Sequence, residues 1–134
     1  MSKRIRYKSG YKYQLVDDYE ILTDVFPPES ITTDFIGLHR TGHMFIRAGY
    51  AWDGASGYPD KKTIMRGSLV HDALYQLIRN KHLDMSKRLD ADKLLRTMCR
   101  DDGMPAWEAW CVYKAVRNFG KYCVHKPKQV RVAP

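Results

Sequence analysis

Residues 4–52 carry the apolar and polar pattern of β structure, in short runs dominated by β-branched and aromatic side chains. The runs are Tyr11–Val16, Tyr19–Leu22, Ile31–Ile36 and His43–Ala48, and Asp17-Asp18, Pro27-Pro28 and Thr41-Gly42 break them. A small antiparallel sheet is expected. Arg40-Thr41-Gly42 sits between two apolar runs and is expected to turn a hairpin, with glycine available for a positive φ.

From about residue 62 the period becomes helical, and three amphipathic helices are expected. In the first, Leu69, Val70, Ala73, Leu74, Leu77 and Ile78 form one apolar arc at 100° per residue. Ser68, His71, Asp72, Tyr75 and Gln76 fill the opposite arc, with His71 next to the apolar edge. The second helix is expected from an N-cap at Ser86 to about Asp102, where Gly103 can end it. Its core arc is Ala91, Leu94, Leu95, Met98 and Cys99; Asp92 borders that arc, whereas Asp90 points outward. Pro105 suits the first turn of a third helix that runs through Trp107, Trp110, Val112, Tyr113, Val116 and Phe119 to Gly120. The fold class is α+β, a small N-terminal antiparallel β-sheet followed by a three-helix C-terminal part. One domain spans 1–134: β-rich over 4–52, helical over 62–120, with a basic tail at 121–134.

A 134-residue chain with 44% hydrophobic content can bury a core without metal or disulfide staples. Its three cysteines, Cys99, Cys111 and Cys123, are odd in number and lack CxxC spacing, so they read as reduced thiols. The basic start is not followed by an apolar run, so no signal peptide and no transmembrane segment is expected. The expected location is a cytoplasm, unless another machine exports the protein. The formal charge of +8 suits an anionic partner, either lipid headgroups or nucleic acid. Much of the excess lies at the ends, in Lys3, Arg4, Arg6, Lys8 and Lys12 and in Lys121, Lys126, Lys128 and Arg131. Such flanks are usually solvated and raise affinity for anions without specificity.

The chemistry-bearing set is Asp53-Gly54-Ala55-Ser56, His71-Asp72-Ala73-Leu74-Tyr75 and Ala91-Asp92. Asp72 can offer oxygens to a hard cation such as calcium, and the loop at Asp53 and Gly54 can add backbone carbonyls. His71 beside the ion can take a proton from water, and Asp92 can hold the other imidazole nitrogen and stabilise the imidazolium. Tyr75, one turn after His71, is a candidate acid in the same set, with a packing role as its alternative. Ser56 lacks the GxSxG elbow of a serine nucleophile. The competing reading is a buried polar network of His71, Asp72 and Asp92 that ties two helices and the loop without turnover. His39 and His43 flank the hairpin turn and read as exposed; His82 and His125 have no partner pattern. Trp107, Trp110, Lys114 and Arg117 can form an aromatic and basic surface or serve as helix packing.

DGAS, HDxLY and AD in this order, with Tyr113-Lys114-Ala115-Val116-Arg117-Asn118-Phe119-Gly120 closing the set, resemble a family of phage and prophage proteins known as a domain of unknown function. The likeness covers roughly residues 45–120 and implies a bacteriophage or prophage origin without an activity. A more distant likeness is to small calcium-dependent phospholipases that cleave the sn-2 ester, whose helix carries HDxCY or HDxGY. That likeness implies His71 as the base that activates water, Asp72 as a calcium ligand and Asp92 as the residue that orients His71. Leu74 stands where those enzymes have a disulfide cysteine, and their glycine-rich calcium loop is absent; Asp53 to Gly57 is a positional substitute. Three expectations follow: a calcium-dependent hydrolase of an ester or phospholipid, a nonenzymatic virion or assembly component contacting other virion proteins, or a nucleic-acid binder whose support is net charge, with no recognition helix or stacking motif in the sequence. An HD-type phosphohydrolase would need further helical ligands, and His39 and His43 fall in β-type sequence instead.

Overall fold

The computed structural model describes residues 4–8, 13–54 and 61–125, with side chains described as far as residue 118. Lys3, Lys12, Ser56 and the rest of the loop to Pro59, Phe119, Gly120, Cys123, His125 and the basic C-terminal residues therefore lie outside the described side chains. Among the described residues seven strands are followed by three α-helices, an α+β arrangement. The strands are β1 (Tyr7–Lys8), β2 (Tyr13–Leu15), β3 (Tyr19–Leu22), β4 (Ile31–Thr32), β5 (Ile36–Leu38), β6 (His43–Ile46) and β7 (Ala51–Trp52). The helices are α1 (Lys62–Arg79), α2 (Arg88–Asp101) and α3 (Ala106–His125).

Two antiparallel sheets form rather than one. The first has the order β1-β2-β7 and the second β3-β6-β5-β4. The expected strand Ile31–Ile36 is broken in two, because the Thr33 amide donates to the Ile36 carbonyl at 2.8 Å and closes a tight turn. The Thr33 hydroxyl also accepts from the Ile36 amide at 3.1 Å, so a local side chain wins over strand continuation. The hairpin at Arg40 to Gly42 forms as expected between β5 and β6. There Gly42 has φ +91, and a Cβ would lie 2.2 Å from the Thr23 carbonyl oxygen. Alternation then places Ile36, Leu38, Met44 and Ile46 in the core.

α1 buries the predicted arc and more. Ser68 and Tyr75, assigned by the wheel to the polar side, are also buried. The strands cover one side of this helix and α2 covers another, so its polar positions face protein rather than water. Two aromatic side chains fasten the sheet side to it. Trp52 Nε1 donates to Ser68 Oγ at 3.0 Å, and the Tyr50 hydroxyl reaches Asp72. On the other side Gly67 brings the helices close, since a Cβ there would lie 3.0 Å from Leu95 Cδ1.

The second helix starts differently from expectation. Asp84, not Ser86, is the cap: its carboxylate accepts from the Ser86 amide at 2.9 Å and opens a 3-10 turn over Met85–Lys87 before α2. Gly103, at φ +101, ends α2 as anticipated. Pro105 lies one residue before α3, where its carbonyl accepts the first helical bond from Ala109. α3 buries Ala109, Val112 and Val116, whereas Trp107 and Trp110 face solvent. A bidentate pair of Arg66 with Asp102 joins α1 to the end of α2 and also holds the Tyr19 hydroxyl. Among the described residues no helix is long and apolar enough to cross a membrane.

Candidate functional site

At 100° per residue His71 and Asp72 leave α1 in different directions, and they meet different partners. His71 and Tyr75, one turn apart on α1, both turn toward α2. Their rings lie 4.0 Å apart at 39°, and both meet Asp92. His71 Nε2 is 2.6 Å from Asp92 Oδ1, and the Tyr75 hydroxyl donates to the same oxygen at 2.5 Å. The other carboxylate oxygen accepts from Arg117 Nη1 at 2.9 Å, with Arg88 Nη2 at 4.0 Å. Asp92 therefore ties α1, α2 and α3 together while its own side chain is 0% exposed.

The protonation pattern follows from these contacts. Burial alone would raise the Asp92 carboxyl, but the bonds from His71 and Tyr75 and the pairing with Arg117 outweigh it and hold the pKa below the usual value. An ionised Asp92 accepts, so Nε2 carries the hydrogen and donates. Burial and the adjacent carboxylate push the Tyr75 phenol far above its ordinary range, which keeps it a donor. His71 is 12% exposed, and among the described residues its Nδ1 has no hydrogen-bond partner. An imidazole anchored through Nε2 presents its other nitrogen away from the anchor, where a general base needs it.

Asp72 belongs to a second cluster on the sheet side. Tyr50 donates to Asp72 Oδ2 at 2.6 Å and is 3.1 Å from Gln76 Oε1. Burial first, and then the charges of Asp72 and Asp53, raise the Tyr50 phenol well above its ordinary value, while Arg79 opposes them. Asp53 thus lies within electrostatic reach of the hydroxyl that Asp72 holds. Asp53 itself is exposed, and Gly54 follows it at the edge of the described loop. Calcium takes six to eight oxygens, with carbonyls and waters among them. The side-chain oxygens that meet here are those of Asp72, Gln76 and Tyr50, and among the described residues no group of three or more His, Cys, Asp or Glu side chains that could hold a metal ion is found.

The sequence singled out His71, Asp92, Tyr75, Asp72, Asp53 and Gly54. The structure brings the first three into one network and places Asp72 in the neighbouring one. It adds Arg117 and Arg88 to the first and Tyr50 and Gln76 to the second. Arg88 stands four residues before Asp92, a spacing visible in the sequence. Tyr50 has no such signal, because it reaches Asp72 from a turn after β6. His39 and His43 lie at the hairpin, bonded to Thr41 and facing Glu20 at 3.6 Å, away from this site.

A family model described as "Protein of unknown function (DUF1353)" matches residues 30–116. No curated protein and no solved structure matches the chain.

Proposed function

The chain belongs to the DUF1353 family of proteins of unknown function, and we propose that it is a hydrolase in which His71 is the general base. The observation that carries this reading is the His71–Asp92 bond of 2.6 Å, backed by two further donors on a fully buried carboxylate, with Nδ1 left for water. Water bound at Nδ1 would lose a proton to it as the oxygen attacks an ester carbonyl. Asp92 would stabilise the imidazolium, which then returns the proton to the leaving alkoxide. Tyr75 and Arg117 are positioning residues here, since both act on Asp92.

The substrate class we propose is a carboxylic ester, a phospholipid among them, on the strength of the HDxLY likeness. We extend the proposal to calcium, held by Asp72 with Asp53 and Gly54. A bound cation would polarise the ester carbonyl and take up developing negative charge. The DGAS, HDxLY and AD set further supports a phage or prophage origin, with activity in the host cytoplasm or carriage in the virion.

Assay of short-chain phospholipids and activated esters with wild type and His71→Ala tests the base. A loss of at least about a hundredfold is expected, with the fold checked by circular dichroism. Hydrolysis retained in a folded His71→Ala protein removes His71 from the role. Calorimetric titration with calcium, repeated on Asp72→Asn, tests the cation separately: binding should disappear in the variant.

One observation favours a second reading. Asp92 already faces Arg117 at 2.9 Å and Arg88 at 4.0 Å, so an imidazolium at His71 would share its counterion with two guanidinium groups. In that reading the set is a structural tie between three helices in a nonenzymatic virion or assembly protein. Stoichiometric presence in purified particles, with no turnover on the ester panel, is its expected result.

A further inference from the structure

Away from the buried pair, a groove of about 530 Å³ runs along α2 and α3, lined by Lys93, Arg96, Arg100, Trp110 and Tyr113 together with Thr97 and Asp101. The three cations recur at steps of three and four residues and so form one stripe of α2. On α3, Trp110 and Tyr113 present rings 5.7 Å apart at 31°. Arg96 lies over both, 5.1 and 5.9 Å from their centroids, and Lys114 lies 5.6 Å from the centroid of Trp110. Trp107, one turn earlier, is 70% exposed and Trp110 46%. Trp110 left this open beside four cations, with the more exposed Trp107 one turn before it on α3, forms a surface whose composition calls for a ligand.

We propose that this groove binds single-stranded nucleic acid, with phosphates on Lys93, Arg96, Arg100 and Lys114 and a base stacked on Trp107. The cation–π contacts hold Arg96 and Lys114 in place, which lowers the ordering cost when a phosphate arrives. A guanidinium that stacks by its face keeps its N–H edge free for phosphate oxygens. Stacking on an aromatic ring requires an unstacked base, which a single strand offers and a duplex does not. A membrane surface fits less well. Inserting Trp110 into lipid would carry Arg96 and Lys114 toward the apolar region with it, at the cost of dehydrating two charges.

The test is fluorescence anisotropy of a labelled oligothymidylate titrated with the full chain across a series of salt concentrations. Trp107→Ala is expected to weaken binding at least about fivefold, and Trp107→Phe to retain most of it. The double variant Lys93→Ala, Arg96→Ala should flatten the slope of log affinity against log salt by about 1.4, two phosphate contacts' worth. Every variant keeps the basic ends, so binding unchanged in all of them would assign the affinity to those ends and overturn the proposal. Absence of oligonucleotide binding by the wild type at low salt would overturn it too. So would capture by phosphatidylglycerol vesicles that these substitutions abolish while oligonucleotide binding persists.

Discussion

Tyr75→Phe removes one oxygen and nothing else, which makes it the cleanest probe of the buried network. The phenol donates at 2.5 Å to Asp92 Oδ1, and both side chains are buried. A hydrogen bond to a charged acceptor contributes about 1.5–3 kcal/mol, against about 0.5–1.5 kcal/mol for a neutral one. The variant should therefore lose about 2 kcal/mol at pH 7, measured by urea unfolding with an unchanged m-value. Its pH dependence adds a second reading. Asp92 has a folded pKa below its unfolded one, so its stabilisation is present above the ordinary aspartate value near 4 and is lost as pH falls through the folded value. The gap between wild type and variant should accordingly narrow in acid, as the acceptor loses its charge. A gap under about 0.5 kcal/mol at pH 7 would refute the contact. A gap that does not narrow across the pH range in which NMR shows the folded Asp92 carboxyl taking up its proton would refute the charged acceptor.

Three further outcomes follow from the same structure. Tyr19, Tyr50 and Tyr75 are raised by burial, and burial pushes the Cys99 thiol up to about 12. The unfolded chain releases these protons near pH 9–10 and the folded chain retains them, so stability is full below that range and falls above it. Each retained proton costs about 1.4 kcal/mol per pH unit, and chemical unfolding across pH 8–11 measures the sum. Asp102→Ala leaves the buried Arg66 guanidinium without its bidentate partner and should cost about 3–5 kcal/mol in the same unfolding assay. Gly42→Ala places a Cβ on the Thr23 carbonyl at a positive φ; a thermal shift of several degrees downward is expected, and an unchanged midpoint would contradict the hairpin geometry.

Helix positions were legible because burial on a helix repeats over many residues: Leu69, Val70, Ala73, Leu74, Leu77 and Ile78 all lie in the core. Strand bounds were less so, since one threonine hydroxyl is enough to split Ile31–Ile36 into a hairpin. The wheel also misjudged Ser68 and Tyr75. Their hydroxyls look polar in sequence, yet both are satisfied inside the protein: Ser68 accepts from Trp52 and donates to the Met65 carbonyl, and Tyr75 donates to Asp92. A wheel reads one helix against water, and α1 has strands on one side and α2 on another.

The same reasoning explains which part of the site could be read. Asp92 was placed at the edge of its apolar arc, and a carboxylate there is tolerable only if donors converge on it. His71 and Tyr75 sit at i and i+4 on the facing helix, so their convergence follows from helical spacing alone. Arg117 could not be inferred in that way, because its contact depends on how α3 crosses α2, and its sequence neighbours suggest a surface role. Tyr50 depends in the same way on the turn after β6. The pair that can do chemistry is thus encoded locally on two helices, while its charge balance and the environment of Asp72 are set by long-range packing. His71→Ala removes one donor from the buried carboxylate and should cost about as much stability as Tyr75→Phe, about 2 kcal/mol, whereas Asp92→Asn removes the charge on which His71, Tyr75 and Arg117 all converge. An assay that compares the two, activity against stability, separates a catalytic base from a structural bond: in the first case the His71 variant loses activity while it still folds, and in the second it has no activity to lose.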